Sequence, residues 1–368
     1  MAEDCIQQKG FASNDRDDFH NKILDLSHND LDGSNLEDIL STCEQNECRN
    51  KSYIYLHHNR LRYLPSYITM FKNLRLLDLS YNNLNVIPDG ILELTSLNTL
   101  LLRSNMLDEM SLPKNFGDLT TLEVLNLSGN NFKVLPPQIF DLRELRSLYV
   151  GGNQIEQIPG DIKRLERLEV LYLGGNQLTE IPADVGQLQY LQALVLCENK
   201  LRSLPSTISC LRRLRSLALH KNFLTTLPPE IVTLRGLIEL SLRDNPLVVR
   251  FVKDMTYTPP SLRELAARCI KISKIPYGQH DLPANLRTFL NSAQRCVNPR
   301  CKGVYFDTRV EHIKFVDFCG KYRLPLLEYL CSPLCHTSPA FTYSSSDPES
   351  SDEESTVPAS KLKRVLLG

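Results

Sequence analysis

The sequence predicts an α/β solenoid, with short parallel strands stacked side by side on a concave face, followed by a helical segment and a small cysteine-bearing module. Three observations predict it. An asparagine recurs in the frame L-x-L-x-x-N-x-L at Asn29, Asn59, Asn82, Asn105, Asn130, Asn153, Asn176, Asn199, Asn222 and Asn245, and seven of the nine intervals are 23 residues, with 30 before Asn59 and 25 before Asn130. The stretch from Ser261 to Leu290 leaves this frame and takes on helical periodicity. Five cysteines then fall within forty residues, at Cys296, Cys301, Cys319, Cys331 and Cys335.

The totals exclude several function classes. With 42 Lys and Arg against 43 Asp and Glu in 368 residues, no net charge steers the chain to nucleic acid or a membrane surface. The opening MAEDCIQQKGFASNDRDDF has early acids and no apolar core of a secretory signal, and no later run could span a bilayer. A cytoplasmic or nuclear protein is expected, with reduced thiols, so that clustered cysteines point to metal rather than disulfides. No phosphate-cradling loop, H-E-x-x-H or nucleophile elbow is present, and the chain is expected not to be an enzyme.

Residues 1–20 are polar and carry no chemistry; the repeats run over 21–260, including a closing cap. In each repeat the leucines of L-x-L point inward from a short strand and the residues between them point outward, because strand side chains alternate faces. The asparagine turns the chain, and its buried amide can satisfy backbone groups of neighbouring turns. The recurrent pairs Ile158-Pro159, Ile181-Pro182, Leu204-Pro205 and Leu227-Pro228 break any regular helix and favour an extended or short 3₁₀ return. One such unit cannot bury its leucines alone, whereas a stack can. With strands about 4.8 Å apart, ten give a parallel sheet roughly 45 Å long. The pattern resembles the leucine-rich repeat family.

The outward positions define a candidate binding floor. Leu101, Val124, Tyr149, Val170, Tyr172, Ala193, Val195 and Cys197 are expected there, with glycine pairs at Gly151-Gly152 and Gly174-Gly175 leaving room beside two stacked tyrosines. Arg103, Glu198, His220, Lys221 and Arg243 edge it. Aromatics rimmed by arginine are common anchors of protein interfaces, so Arg103, Tyr149, Tyr172, Val195, His220 and Arg243 are the candidate substrate-contacting residues. Cys43 and Cys48 lack a second pair and read as free thiols in an insertion. His57, His58 and His220 read as unaccompanied surface imidazoles.

NPLVVRFVKDMTYTPP abandons the asparagine frame and is expected to close the solenoid. Ser261 with Glu264 then reads as a reciprocal capping pair, and Leu262, Leu265, Ala266, Cys269 and Ile270 fall on one helical face. SLRELAARCI resembles the Elongin-binding box of substrate receptors of cullin-RING ubiquitin ligases. The resemblance assigns Ser261, Leu262, Leu265, Ala266 and Ile270 to Elongin contact, with Ala266 where the box usually has cysteine. It also assigns Leu282, Pro283, Leu286, Phe289 and Leu290, in the second half of the 261–290 segment, to cullin contact. His280-Asp281 replaces the Leu-Pro pair that would normally precede this half, so cullin-2 and cullin-5 both stay open.

In the module over 291–336, Cys296 and Cys301 in CVNPRC and Cys331 and Cys335 in CSPLC can converge on one structural zinc, with Cys319, His312 and His336 in reserve. VYFDTRVEHIKFVDF alternates like a hairpin that would bring the pairs together. The acidic, serine-rich stretch over 337–368 is expected to be disordered. The resemblance implies a non-catalytic substrate receptor: a protein target on the concave face, Elongins B and C with cullin-2 or cullin-5 and a RING subunit on the box. The competing reading is a leucine-rich repeat signalling scaffold with no ligase role, in which the apolar helix face would be buried in the chain's own core.

Overall fold

A computed structural model describes residues 22–43, 45–247, 259–278, 280–298, 301–318, 322–333, 335 and 364–366. The N-terminal stretch over 1–20, most of the closing cap and most of the serine-rich tail lie outside these residues. The chain divides into two compact units. The first comprises residues 1–223, 233–245 and 363–368; the second comprises 224–232 and 246–362. The second unit thus includes a piece of the ninth repeat as well as the helical and cysteine-bearing segments. Among the described residues no helix is long and apolar enough to cross a membrane.

The first unit is the expected stack. Ten three-residue strands pair in parallel in chain order: β1 (Ile23–Asp25), β2 (Tyr53–Tyr55), β3 (Leu76–Asp78), β4 (Thr99–Leu101), β5 (Val124–Asn126), β6 (Ser147–Tyr149), β7 (Val170–Tyr172), β8 (Ala193–Val195), β9 (Ser216–Ala218) and β10 (Glu239–Ser241). Every strand is in register at its central inward residue, as in Leu148 opposite Leu171 and Leu194 opposite Leu217. These four leucines are at most 1 % exposed, and each contributes about 1.5–3 kcal/mol by leaving water. After each Ile-Pro or Leu-Pro pair the chain makes a short 3₁₀ turn, for example Gly160–Arg164 after Pro159 and Ala183–Gln187 after Pro182. The long first interval is spent on two helices, α1 (Gly33–Ser41) and α2 (Gln45–Asn50). Asp32 caps α1 by accepting from the N–H of Asn35, and Cys48 is buried at 1 % exposure.

The asparagines do what the repeat requires. Asn176 Oδ1 accepts from the Ile155 N–H at 3.0 Å, and its Nδ2 donates to the carbonyls of Val150 and Leu173, each at 3.0 Å. One side chain therefore satisfies backbone groups in two repeats, and the same bonds recur at Asn82, Asn105, Asn130, Asn153, Asn199 and Asn222. The residue just before the asparagine takes a left-handed conformation in repeat after repeat: His28, His58, Tyr81 and Ser104, then Gly129, Gly152 and Gly175, then Glu198, Lys221 and Asp244, with φ between 53° and 70°. Glycine adopts it freely, and the other residues hold it against a local cost.

The second unit contains α3 (Leu262–Ile272), α4 (Ala284–Asn291), the two-residue strands β11 (Gln294–Arg295) and β12 (Val304–Tyr305), and a hairpin of two nine-residue strands, β13 (Val310–Phe318) and β14 (Tyr322–Leu330). The hairpin corrects the sequence reading. VEHIKFVDF is one strand and YRLPLLEYL its partner, whereas the preceding Val304-Tyr305 pairs back with β11. Leu227 joins this unit through a parallel bridge to Leu326, donating to the Pro325 carbonyl at 2.9 Å and accepting from the Leu327 N–H at 2.8 Å. In the first unit, Arg364–Leu366 forms β15, which adds to β10 in parallel as an eleventh strand. The tail expected to be disordered thus contains a strand.

Candidate functional site

Helix α3 turns its apolar face outward. Leu262 is 86 % exposed and Leu265 44 %; Ser261, Ala266 and Cys269 are exposed and Ile270 half-buried. The buried side carries Glu264 at 2 % exposure, Ala267 at 4 % and Arg268 at 9 %, spaced i, i+3 and i+4. Arg268 donates to Glu264 Oε1 through Nε at 3.1 Å and Nη2 at 2.6 Å. It also donates to the carbonyls of Cys331 at 2.7 Å and Thr308 at 2.5 Å. Glu264 accepts in addition from the N–H groups of Phe306 and Thr308, at 3.2 and 3.0 Å. Burial pushes the Glu264 carboxyl up, but Arg268 and these N–H donors outweigh it and hold the group below the usual carboxylate range. The cap is therefore one-sided. Ser261 Oγ accepts from the Glu264 N–H at 3.2 Å, as expected, while the Glu264 carboxylate goes to the core instead of back to the cap.

Helix α4 is divided between core and surface. Leu290 is 3 % exposed and packs with Ala267 and Phe306; Leu282 and Phe289 are half-buried against the same cluster. The Phe289 ring lies between Phe306, centroids 4.6 Å apart, and the Arg263 guanidinium at 4.2 Å. Among the five residues assigned to cullin contact, Leu290 and Phe289 are thus engaged in holding α4 to its own unit. Pro283 is exposed and Leu286 half-exposed.

The four cysteines paired by spacing come together. The Sγ atoms of Cys296, Cys301, Cys331 and Cys335 all lie within 4.8 Å of one another. Cys301 to Cys331 is 3.5 Å, Cys331 to Cys335 is 3.4 Å and Cys335 to Cys301 is 3.4 Å. Four thiolates at about 2.3 Å from a tetrahedral zinc sit roughly 3.8 Å apart, so these separations suit a shared ion. β11 and β12 place the first pair, with the Cys296 N–H on the Gly303 carbonyl at 3.0 Å. The Gly303 N–H donates to Cys301 Sγ at 3.3 Å, the kind of bond that steadies a thiolate. A Cβ on Gly303 would sit 2.5 Å from Cys331 Sγ, so only glycine brings the backbone this close. Burial among neighbouring thiols pushes the Cys331 thiol well up. The reserve ligand His312 is buried in β13 outside the thiol set, and Cys319 and His336 lie outside the described residues.

On the strand face the six residues assigned to substrate contact lie in the outward columns, from half-buried Tyr149, Val195, His220 and Arg103 to exposed Tyr172 and Arg243. Two details differ from expectation. The tyrosine rings of Tyr149 and Tyr172 are tilted by 37° with centroids 6.3 Å apart rather than stacked. The glycines do not leave the floor open. A Cβ on Gly151 would meet the Tyr172 ring at 2.3 Å, and one on Gly174 would meet Cys197 Sγ at 2.8 Å, so ring and thiol already fill the space. Cys197 is accordingly only 8 % exposed. Toward the C-terminal repeats Lys221 and Glu198 pair at 2.7 Å and His220 Nδ1 meets Ser241 Oγ at 3.2 Å. Toward the N-terminal repeats Arg103 lies 5.5 Å from the Tyr81 ring. His57 and His58 are not unaccompanied, as their spacing had implied, because His28 joins them.

Sequence reasoning assigned Glu264 to the cap and missed Arg268 and the buried ion pair the two make. Their i, i+4 spacing opposite an apolar face was the available signal, because a helix that turns its leucines outward must be held from the other side.

Comparisons with known proteins agree with this architecture. The family described as "Leucine-rich repeat region" matches residues 161–280, and those described as "Leucine rich repeat" match 113–155 and 73–94. The chain is 63 % identical over 346 residues to leucine-rich repeat-containing protein 58 of Xenopus laevis, covering 94 % of this chain and 97 % of that one. It is 68 % identical over 88 residues to the Homo sapiens protein of that name, 24 % of each chain. The octameric complex of Latrophilin 3, Unc5D and FLRT2 (LRR) supplies a structural neighbour in fold, with a TM-score of 0.50, 22 % identity and coverage of 72 % of this chain and 90 % of that one. Repeat spacing, asparagine ladder and near-complete alignment converge: the chain belongs to the leucine-rich repeat-containing protein 58 family.

Proposed function

We propose that the chain is a non-catalytic substrate-recognition subunit of an Elongin BC–cullin–RING ubiquitin ligase. The observation that carries this reading is α3. A helix with Leu262 86 % exposed, fixed to its unit by a buried ion pair on the opposite side, has the form of a docking element rather than of a core helix. Leu262 would fill a pocket on Elongin C, contributing about 1.5–3 kcal/mol, and Ala266 would let the helix backbone approach. Pro283, just before α4, and Leu286 within it are the surface residues left for a cullin. A signalling scaffold that buried this face in its own core would not leave Leu262 in solvent.

In this reading the strand face around Tyr149, Tyr172 and Val195 selects a protein target, and the four cysteines hold a structural zinc that braces the docking helices. Four thiolates close the coordination sphere, leaving no position for water, so the ion's part is to hold the fold. The test is co-purification with Elongins B and C from cells. The wild-type chain is expected to capture both, and the Leu262→Asp, Ala266→Asp chain neither; capture by the double variant at wild-type level refutes the assignment.

A further inference from the structure

The strand face of the first two repeats carries a second cluster of metal-ligating side chains, far in sequence from the cysteines. His28 follows β1, and His57 and His58 follow β2. One ligand nitrogen from each lies within 4.8 Å of the other two. His57 Nδ1 and His58 Nδ1 are 3.0 Å apart. Two imidazoles bound at about 2.0–2.1 Å to one tetrahedral ion hold their nitrogens roughly 3.3 Å apart, so this pair is close to chelating distance. His28 and His58 occupy equivalent places in adjacent repeats, with rings 4.4 Å apart and 15° from parallel, and His57 meets each edge-on at about 5 Å.

The backbone explains how three rings gather on one spot. Successive strand residues point to opposite faces, so His57 and His58 in a regular strand would diverge. The left-handed turn at His58, φ 55°, bends the chain there, and His28 does the same at φ 57°. Three later repeats place glycine at this position, so histidine here is not demanded by the turn. His28 and His58 are exposed and His57 half-exposed, leaving the cluster open to ions from solvent.

We propose that His28, His57 and His58 form a three-imidazole site for a borderline divalent transition-metal ion such as zinc. Nitrogen donors suit zinc and nickel and disfavour calcium or magnesium, which seek oxygen. When the ion binds, the ring that carries the proton between the two Nδ1 atoms passes it through solvent to its own Nε2, so that both rings bind as neutral Nδ1 ligands, and the His28–His58 stack opens by rotation of the rings, a soft torsion in histidine. Three protein ligands leave a fourth tetrahedral position to water or to a donor group of a partner lying on the strand face.

The experiment is zinc titration of the full chain, carrying no polyhistidine tag, in parallel with His28→Asn, His58→Asn and with His57→Ala. Asparagine tolerates the left-handed backbone, and His57→Ala leaves both left-handed positions untouched, so the two variants do not share a folding risk. Wild-type is expected to bind one zinc equivalent more than either variant, and the X-ray absorption difference to show nitrogen scatterers at about 2.0 Å. Equal zinc content in wild-type and either variant, or an extra equivalent bound only by sulfur, overturns the proposal.

Discussion

The repeats and α3 use opposite solutions to the same problem. In the repeats the leucines go in and the charges stay out, and each asparagine stitches two neighbouring turns, so stability is spread over many similar contacts. In α3 the charges go in and the leucines stay out, and the helix is held by Glu264 and Arg268 and the four backbone groups they bond. The first arrangement tolerates local damage. The second concentrates its hold in a few groups so that an apolar face can stay free.

Breaking the thiol cluster tests this contrast most severely. With the proposed zinc bound, the module would gain on the order of 10 kcal/mol of apparent folding free energy, so Cys331→Ser with Cys335→Ser is expected to abolish hydrogen-exchange protection in α3, α4 and the β13–β14 hairpin while the repeats keep theirs. Next in size, Arg268→Met leaves the Glu264 carboxylate buried without its cation, expected to cost about 3–5 kcal/mol in urea unfolding of the second unit. Changing Glu264→Leu in the same chain removes the uncompensated charge but leaves the Phe306 and Thr308 N–H groups and the Cys331 and Thr308 carbonyls without these partners, so a double-mutant cycle should show only partial recovery.

In the repeats, Asn176→Leu orphans the Ile155 N–H and takes one of two donors from each of the Val150 and Leu173 carbonyls, which keep Asn153 and Asn199. A cost of roughly 1–3 kcal/mol in denaturant melts is expected, without loss of the stack. Acid should separate the units too. The Glu264 pKa is lowered in the fold, so its stabilisation is complete above the ordinary glutamate value of about 4.3 and fades as pH falls through the lowered folded value. Acid melts of Glu264→Gln should lack that slope. The smallest effect is the most telling. Leu262→Asp, on an exposed position, should change stability by no more than about 0.5 kcal/mol, while Elongin capture by the same protein is lost.

Much of this was legible in the sequence because repetition multiplies a weak signal. One L-x-L-x-x-N frame means little, but ten at near-constant spacing fix strands, turns and the asparagine bonds together. The cysteine pairs were legible for a similar reason: chemistry restricts what four close thiols can do. What escaped depends on single long-range events. Nothing local says that Glu264 reaches Phe306 and Thr308, more than forty residues on. The strand YRLPLLEYL hides behind Pro325, which fits because its missing N–H needs no ladder partner there. His28 and His57 lie 29 residues apart across the one long interval, so no regular frame brings them together on paper.

The parallel pairing of Arg364–Leu366 with β10 has a consequence for solubility. A stack of strands ends in an unpaired row of N–H and C=O groups, a template for any other extended segment, including the same edge of another molecule. The strand Arg364–Leu366 takes up the row that β10 would otherwise offer. Without it, the row at β10 would stand open as the edge of the stack, available to another extended segment.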